Sequence, residues 1–173
     1  MTKWRRYTEI TANIVLIVAG SLFCVFFIKN YVLSSPQNPA PATNPRPSLV
    51  GNKLSADAFE WAKSEATLLV VLQKDCRFCD ESAAFYQRLT KALSIKPQTR
   101  IVAVLPTSQD DNKKYLQDKK IEISDIRQFS PSSLGVTGTP TLLLVDNSGT
   151  VVDEWRGKLT SEQEENVINR LTK

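Results

Sequence analysis

Cys76 and Cys79 stand three residues apart in the run Asp75-Cys76-Arg77-Phe78-Cys79, and this pair carries the chemistry the chain can offer. Two thiols at i and i+3 on the first turn of a helix share a face and can close a small disulfide. Cys76 falls at the expected helix start, where unpaired backbone N–H groups and the helix dipole favour an anion. It is therefore expected to be the low-pKa thiolate that attacks a disulfide. Cys79, deeper in the turn, is expected to resolve the resulting mixed disulfide. Arg77 and Asp75 would modulate the pair with opposite signs. Phe78, between the two sulfurs, is a candidate for an apolar patch that faces substrate.

Other uses of a Cys-x-x-Cys pair have to be weighed. The chain contains no histidine, which excludes Cys-His and Ser-His catalysis and His-ligated zinc, copper or iron. A zinc ribbon needs a second pair of cysteines or histidines, and the one further cysteine, Cys24, lies far upstream in an apolar run. Two thiolates could still hold Cu(I), so a soft-metal transfer module stays open as the alternative. A disulfide that only braces the fold would constrain so short a loop very little. Peroxide reduction needs a proline and a hydroxyl residue ahead of the attacking cysteine, and Leu69–Asp75 supplies neither.

The elements that must hold the pair are legible on either side of it. Thr67–Gln73 is a continuous apolar run fit for a strand buried on both faces. Phe78, Phe85, Leu89, Ala92 and Leu93 recur at helical spacing and predict one amphipathic helix from about Cys76 to Leu93. Arg100–Leu105 reads as a second strand, and Ser108 with Asp111 as the start of a mostly exposed helix. A weaker strand is expected over Ile121–Ile126 and one helical turn over Pro131–Leu134. Thr141–Val145 and Thr150–Trp155 form a hairpin about Asp146-Asn147-Ser148-Gly149. A capping box of Ser161 and Glu164 opens a last helix. Ser55–Ser64 reads as a short helix ahead of the first strand, and Trp61 and Trp155 as packing residues.

Upstream of residue 49 the chain changes character. From Ile10 to Ile28 there are 19 residues without a charge, close to the ~20 that cross a bilayer as a helix. Residues 10–33 are therefore expected to be a single transmembrane anchor in the lipid bilayer. Lys3, Arg5 and Arg6 precede the span, which places residues 1–9 in the cytoplasm and the rest outside the inner, cytoplasmic membrane. The run is longer than that of a cleaved signal peptide, so an uncleaved anchor is the reading its length favours. Residues 34–48 hold five of the nine prolines and no branched aliphatic or aromatic residue, and read as an extended spacer. The net charge of +4 belongs to this front part, because from Leu49 onward 17 basic residues balance 17 acidic ones. The folded part therefore lacks the basic patch that nucleic-acid binding requires.

A second motif lies further along the chain. In Val136-Thr137-Gly138-Thr139-Pro140-Thr141-Leu142 a proline directly precedes an apolar strand, which makes Thr139–Pro140 a candidate cis peptide bond. With this motif, residues 50–173 resemble the thioredoxin superfamily, in which a Thr-Pro of this kind faces the Cys-x-x-Cys pair. Within it, the run LGVTGTPTLLLVDNSGTVVDEWRG is similar to the membrane-anchored TlpA/ResA-like and redoxin group, and the segment 108–130 sits where that group carries its insertion. The resemblance implies an α/β fold, a thioredoxin-like three-layer α/β/α sandwich of order βαβ, insertion, ββα. It also implies a disulfide oxidoreductase outside the cytoplasm, with Thr139 and Pro140 on the substrate side. Its partners would be protein thiols and disulfides and a membrane electron donor, and it would need no cofactor beyond its own Cys76–Cys79 disulfide. The chain departs from the group where Trp and Pro are common, having Asp75 and Phe78, and where some relatives carry glutamate, having Ser82. Reductase is the expected direction, although the intervening residues set the potential.

Overall fold

The computed structural model describes residues 20, 21, 23, 47–54, 59–95 and 99–172. The chain divides into two compact units, Met1–Arg46 and Pro47–Lys173. In the first, Gly20, Ser21 and Phe23 are helical; otherwise the expected anchor 10–33, Cys24 and most of the spacer lie outside the described residues. Among the described residues no helix is long and apolar enough to cross a membrane.

The second unit is built on a five-stranded sheet of order β3-β2-β1-β4-β5. The apolar run becomes β1 (Ala66–Val71) at its centre, buried on both faces as a strand flanked on each side must be. β2 (Thr99–Leu105) lies parallel to it, with Leu69 opposite Val102, and β4 (Thr141–Asp146) antiparallel, with Leu69 opposite Leu143. β5 (Val151–Arg156) follows β4 through the expected hairpin, and β3 (Ile126–Gln128) pairs in parallel with β2.

Strand alternation divides the core into two layers. Leu68, Val70 and Leu72 face one side, where they meet α2 (Ala83–Ile95), α3 (Gln109–Asp118) and α4 (Ser161–Leu171). Leu69 and Val71 face the other side, where Leu49, Leu54, Phe59, Leu134 and Val136 cover them. The expectation of helices on both faces therefore holds for one face only among the described residues. The second face carries irregular chain and two 3-10 turns, Trp61–Lys63 and Pro131–Leu134. Two same-direction crossovers, β1 to β2 and β2 to β3, put α2 and α3 on the same side.

Other expectations shift locally. The helix over Ser55–Ser64 is reduced, in its described part, to the turn Trp61–Lys63, which starts after Glu60 in the left-handed region (φ 49°). The single helix from Cys76 to Leu93 is two, α1 (Arg77–Glu81) and α2, separated at Ser82. The weak strand moves to β3, because Ile121 and Ile123 point into the helical layer of the core while Ile126–Gln128 makes the ladder. The last helix is capped one residue early, by a capping box of Thr160 and Gln163.

The outer edge of β5 is covered where it begins by the incoming chain. Gly51 N–H donates to Val151 O (2.8 Å), Val151 N–H donates to Asn52 O (3.0 Å), and Lys53 bridges Thr150. Glu154, its side chain only 6% exposed, accepts from Leu49 N–H (2.9 Å), Ser48 Oγ (3.2 Å) and Arg156 Nε (2.6 Å). Arg156 also donates to Pro47 O at 2.7 Å.

Candidate active site

β1 delivers the chain to the site and Asp75 turns it. Asp75 has φ 62°, in the left-handed region that short polar residues tolerate, and the helix starts immediately after Cys76. Cys76 is therefore the N-cap of α1. Its Sγ accepts a hydrogen bond from Cys79 N–H at 3.3 Å, so sulfur takes the capping role usually filled by oxygen.

The loop before β4 brings a second set of groups to the same sulfur. The Thr139–Pro140 peptide bond is cis, Pro140 is buried, and the chain continues directly into β4. The Cys76 thiol donates to Thr139 O at 3.4 Å, and Thr139 Oγ1 donates to Cys76 Sγ at 3.4 Å. The Pro140 carbonyl accepts from Gly157 N–H at 2.7 Å, which ties this loop to the end of β5.

The two sulfurs differ in environment. Cys79 is fully buried in the helical layer, whereas Cys76 is half-buried, and both are free thiols. Burial opposes ionisation of Cys76, but hydrogen bonds from the Cys79 side chain, from Thr139 and from the Cys79 and Phe78 backbone outweigh it and pull the thiol below its ordinary value. Burial, joined by the hydrogen bond to Cys76, pushes the Cys79 thiol up to about 12. At neutral pH the arrangement favours one reactive thiolate beside one protonated thiol.

The neighbouring expectations come out unevenly. Phe78, between the two cysteines in sequence, is exposed (52%). Arg77 turns its guanidinium to Glu81 at 2.7 Å, and Glu81 also holds Lys158 at 2.8 Å. The hydrogen bonds that lower Cys76 come from Cys79, Thr139 and Phe78 rather than from Arg77 or Asp75. Trp155 packs against the helical core layer and Trp61 stacks on Phe59 at 4.8 Å between ring centroids.

Sequence reading gave Ser82 no role beyond a departure from the group and missed Tyr86 and Tyr115; all three are buried, and the two tyrosines lie in the core layer that holds Cys79. Their signal was present: Ser82 and Tyr86 continue the i+3 and i+4 spacing from Cys79, and Tyr115 lies three residues after the buried Asn112. Among the described residues no group of three or more Cys, Asp or Glu is placed to hold a metal ion.

Comparison with known proteins supplies a lineage. The sequence profile of the Thioredoxin-like domain family matches residues 57–172. No curated protein sequence is similar enough to count as a relative. Among solved structures, the thioredoxin domain of a thiol-disulfide oxidoreductase from Bacteroides vulgatus superposes with a TM-score of 0.51 at 18% identity, covering 68% of this chain and 84% of that one. A thiol:disulfide interchange protein from Bacteroides sp. gives 0.51 at 18% identity, over 73% and 88%. A thioredoxin family thiol:disulfide interchange protein from Chlorobium tepidum gives 0.50 at 16%, over 68% and 84%.

Proposed function

The chain belongs to the thioredoxin-like family, and from that premise we propose that it is a thiol-disulfide oxidoreductase working through Cys76 and Cys79. The observation that carries this reading is the asymmetry of the pair: one half-buried sulfur drawn below its ordinary pKa by donors on both sides, and one buried sulfur pushed up to about 12. The Cys76 thiolate attacks a substrate disulfide and forms a mixed disulfide. Cys79 then closes on Cys76, and the substrate leaves as a thiol. Thr139 and Pro140 border the sulfur on the side where an extended substrate segment would lie, and Phe78 offers it apolar contact.

In this reading the substrates are protein thiols and disulfides, the redox-active disulfide is the only prosthetic chemistry, and reduction is the working direction. Residues 10–33 tether the domain to the inner membrane with the N-terminus in the cytoplasm, and a membrane electron donor recharges the pair. The apolar run and its basic flank support that placement. The named neighbours, described as thiol-disulfide oxidoreductase and interchange proteins, are in keeping with disulfide exchange as the chemistry.

The soft-metal alternative would hold one Cu(I) between the two thiolates, and stoichiometric metal on the reduced domain with no disulfide exchange would favour it. Replacing Cys79 by Ser tests the proposal directly. The variant should accumulate covalent, thiol-reversible adducts through Cys76 in cells, and their absence while the wild type cycles between redox forms would reject it.

A further inference from the structure

α1 carries Cys79 and is capped by Cys76, yet it is five residues long and ends at Ser82. A helix this short has little cooperativity of its own, so contacts with other elements must hold it in place. Its last residue, Glu81, divides its carboxylate between two cations. Oε1 accepts from Arg77 Nε at 2.7 Å, within the helix, and Oε2 accepts from Lys158 Nζ at 2.8 Å, 77 positions along the chain. Lys158 and then Arg77 hold the Glu81 carboxyl below the usual carboxylate range, so it is charged wherever a thiol titrates.

The backbone on either side of Lys158 is itself tied down. Gly157, at φ 73°, gives its N–H to Pro140 O at 2.7 Å, and Leu159 packs on the helical core layer. The contacts therefore close on themselves. Cys76 Sγ bonds to Thr139, the next residue, Pro140, to Gly157, the next, Lys158, to Glu81, and α1 runs from Glu81 back to Cys76. Glu81–Lys158 is the one ion pair among these links. Asp80, beside Glu81, is held instead from the α3 side, by Tyr115 Oη at 3.1 Å and Lys119 Nζ at 2.8 Å.

We propose that Glu81 and Lys158 are positioning residues for the exchange reaction: the pair braces the Thr139-Pro140 loop against α1 and keeps the Thr139 hydroxyl within bonding range of the Cys76 sulfur. This rests on the disulfide-exchange reading, which makes the Cys76 thiolate the attacking group. Glu81 and Lys158 cancel one another in charge, and what reaches the sulfur is the placement of one hydroxyl donor. The titratable groups that share the site with Cys76 are Cys79 on α1, Tyr86 on α2 and Tyr115 on α3. Lys74, Asp75 and Arg77 flank it in the chain, and residues 136–140 bring no charge.

Charge and bracing predict opposite signs. If Glu81 acted by its charge alone, Glu81→Ala would leave Arg77 and Lys158 uncancelled, favour the anion and speed alkylation of Cys76. Loss of a brace frees the Thr139 donor instead. The pH midpoint of Cys76 alkylation should then move up, and iodoacetamide labelling below the midpoint should slow about twofold to fivefold, the weight of one partly exposed ion pair. The reduced full-length chain in detergent serves, with labelling followed on the Cys76 peptide by mass spectrometry. Lys158→Met should match Glu81→Ala, and Lys158→Arg, which keeps the ion pair, should stay at the wild-type midpoint. In a Thr139→Val background the donor is already gone, so Glu81→Ala should add no further slowing. Lys119→Ala loosens the other clamp on α1 and should leave the midpoint unchanged. These side chains lie at the surface, and thermal unfolding should show every variant folded. Faster labelling or an unchanged midpoint in Glu81→Ala overturns the brace, as does full additivity with Thr139→Val or equal slowing in Lys119→Ala. Alkylation needs no disulfide partner, so these rates are read apart from the Cys79→Ser adducts, whose absence rejects the exchange reading whatever Glu81 does.

Discussion

Cys76 and Thr139, 63 residues apart in sequence, bond to each other in both directions: the thiol donates to the Thr139 carbonyl and the Thr139 hydroxyl donates to the sulfur, each at 3.4 Å. The two bonds respond oppositely to ionisation. Loss of the thiol proton removes the first and strengthens the second, which then acts with Cys79 N–H to hold the anion.

Thr139→Val keeps the shape and deletes that donor. The midpoint of the Cys76 alkylation rate against pH should move upward, and iodoacetamide labelling at neutral pH should slow about threefold to tenfold, the equivalent of one hydrogen bond. An unchanged midpoint would show that Cys79 N–H alone holds the thiolate.

Phe78 is half exposed and should contribute nothing measurable to stability. Phe78→Ser is expected to leave the unfolding midpoint within about 0.5 kcal/mol of wild type and to leave reaction with small disulfides intact. Turnover of a disulfide-bonded protein substrate should fall several-fold. Equal effects on both substrate sizes would remove Phe78 from the docking surface.

Leu143 lies at 0% exposure on β4, opposite Leu69 of β1. Leu143→Ala should cost about 2–5 kcal/mol, read as a lower urea midpoint with unchanged slope. A cost below 1 kcal/mol would mean that the layer between the sheet and the irregular chain collapses around the cavity.

Glu154 ties the incoming chain to β5, and its acidity follows from that. Burial opposes its charge, but Arg156 and Leu49 N–H outweigh it and hold the carboxyl below the usual carboxylate range. A lowered folded pKa gives stability that is complete above the unfolded value of about 4.3 and is lost as pH falls through the folded value. Glu154→Gln should therefore cost about 1–3 kcal/mol at neutral pH and little near pH 2. Urea melts at both pH values measure the difference, and an equal cost at both would contradict it.

Local signals carried most of the architecture. The run Thr67–Gln73 announced the central strand because a strand covered on both faces needs uninterrupted apolar residues, and Asp146-Asn147-Ser148-Gly149 announced the hairpin because a tight turn needs those types. Ser108 was found as a cap for the same reason, its Oγ accepting from Asp111 N–H at 3.2 Å. Where several local answers were equally good, tertiary contacts chose. Ile121 and Ile123 alternate like a strand but spend that alternation on the helical core layer, and the ladder forms at Ile126–Gln128. The break at Ser82 is invisible in an amphipathic stripe that runs straight through it.

At the site, the cysteine pair and Thr139-Pro140 were legible because their chemistry restricts which residues will serve. Tyr86 and Tyr115 were not, since a tyrosine in an amphipathic helix reads as packing, and the Tyr115 hydroxyl finds its partner, Asp80, on another helix 35 positions away. Glu154 was hidden for a related reason: its partners Ser48 and Leu49 lie more than 100 positions away, and nothing local to β5 reveals them.

The strip from Pro47 to Lys53 that runs along β5 has a further consequence for molecules crowded side by side. A bare rim on the last strand would let one copy zip onto the next, but here the protein's own lead-in takes up the backbone groups of Val151 and bridges Thr150 where that rim begins. The opposite margin is β3, three residues long, too short a seam for neighbours to knit together.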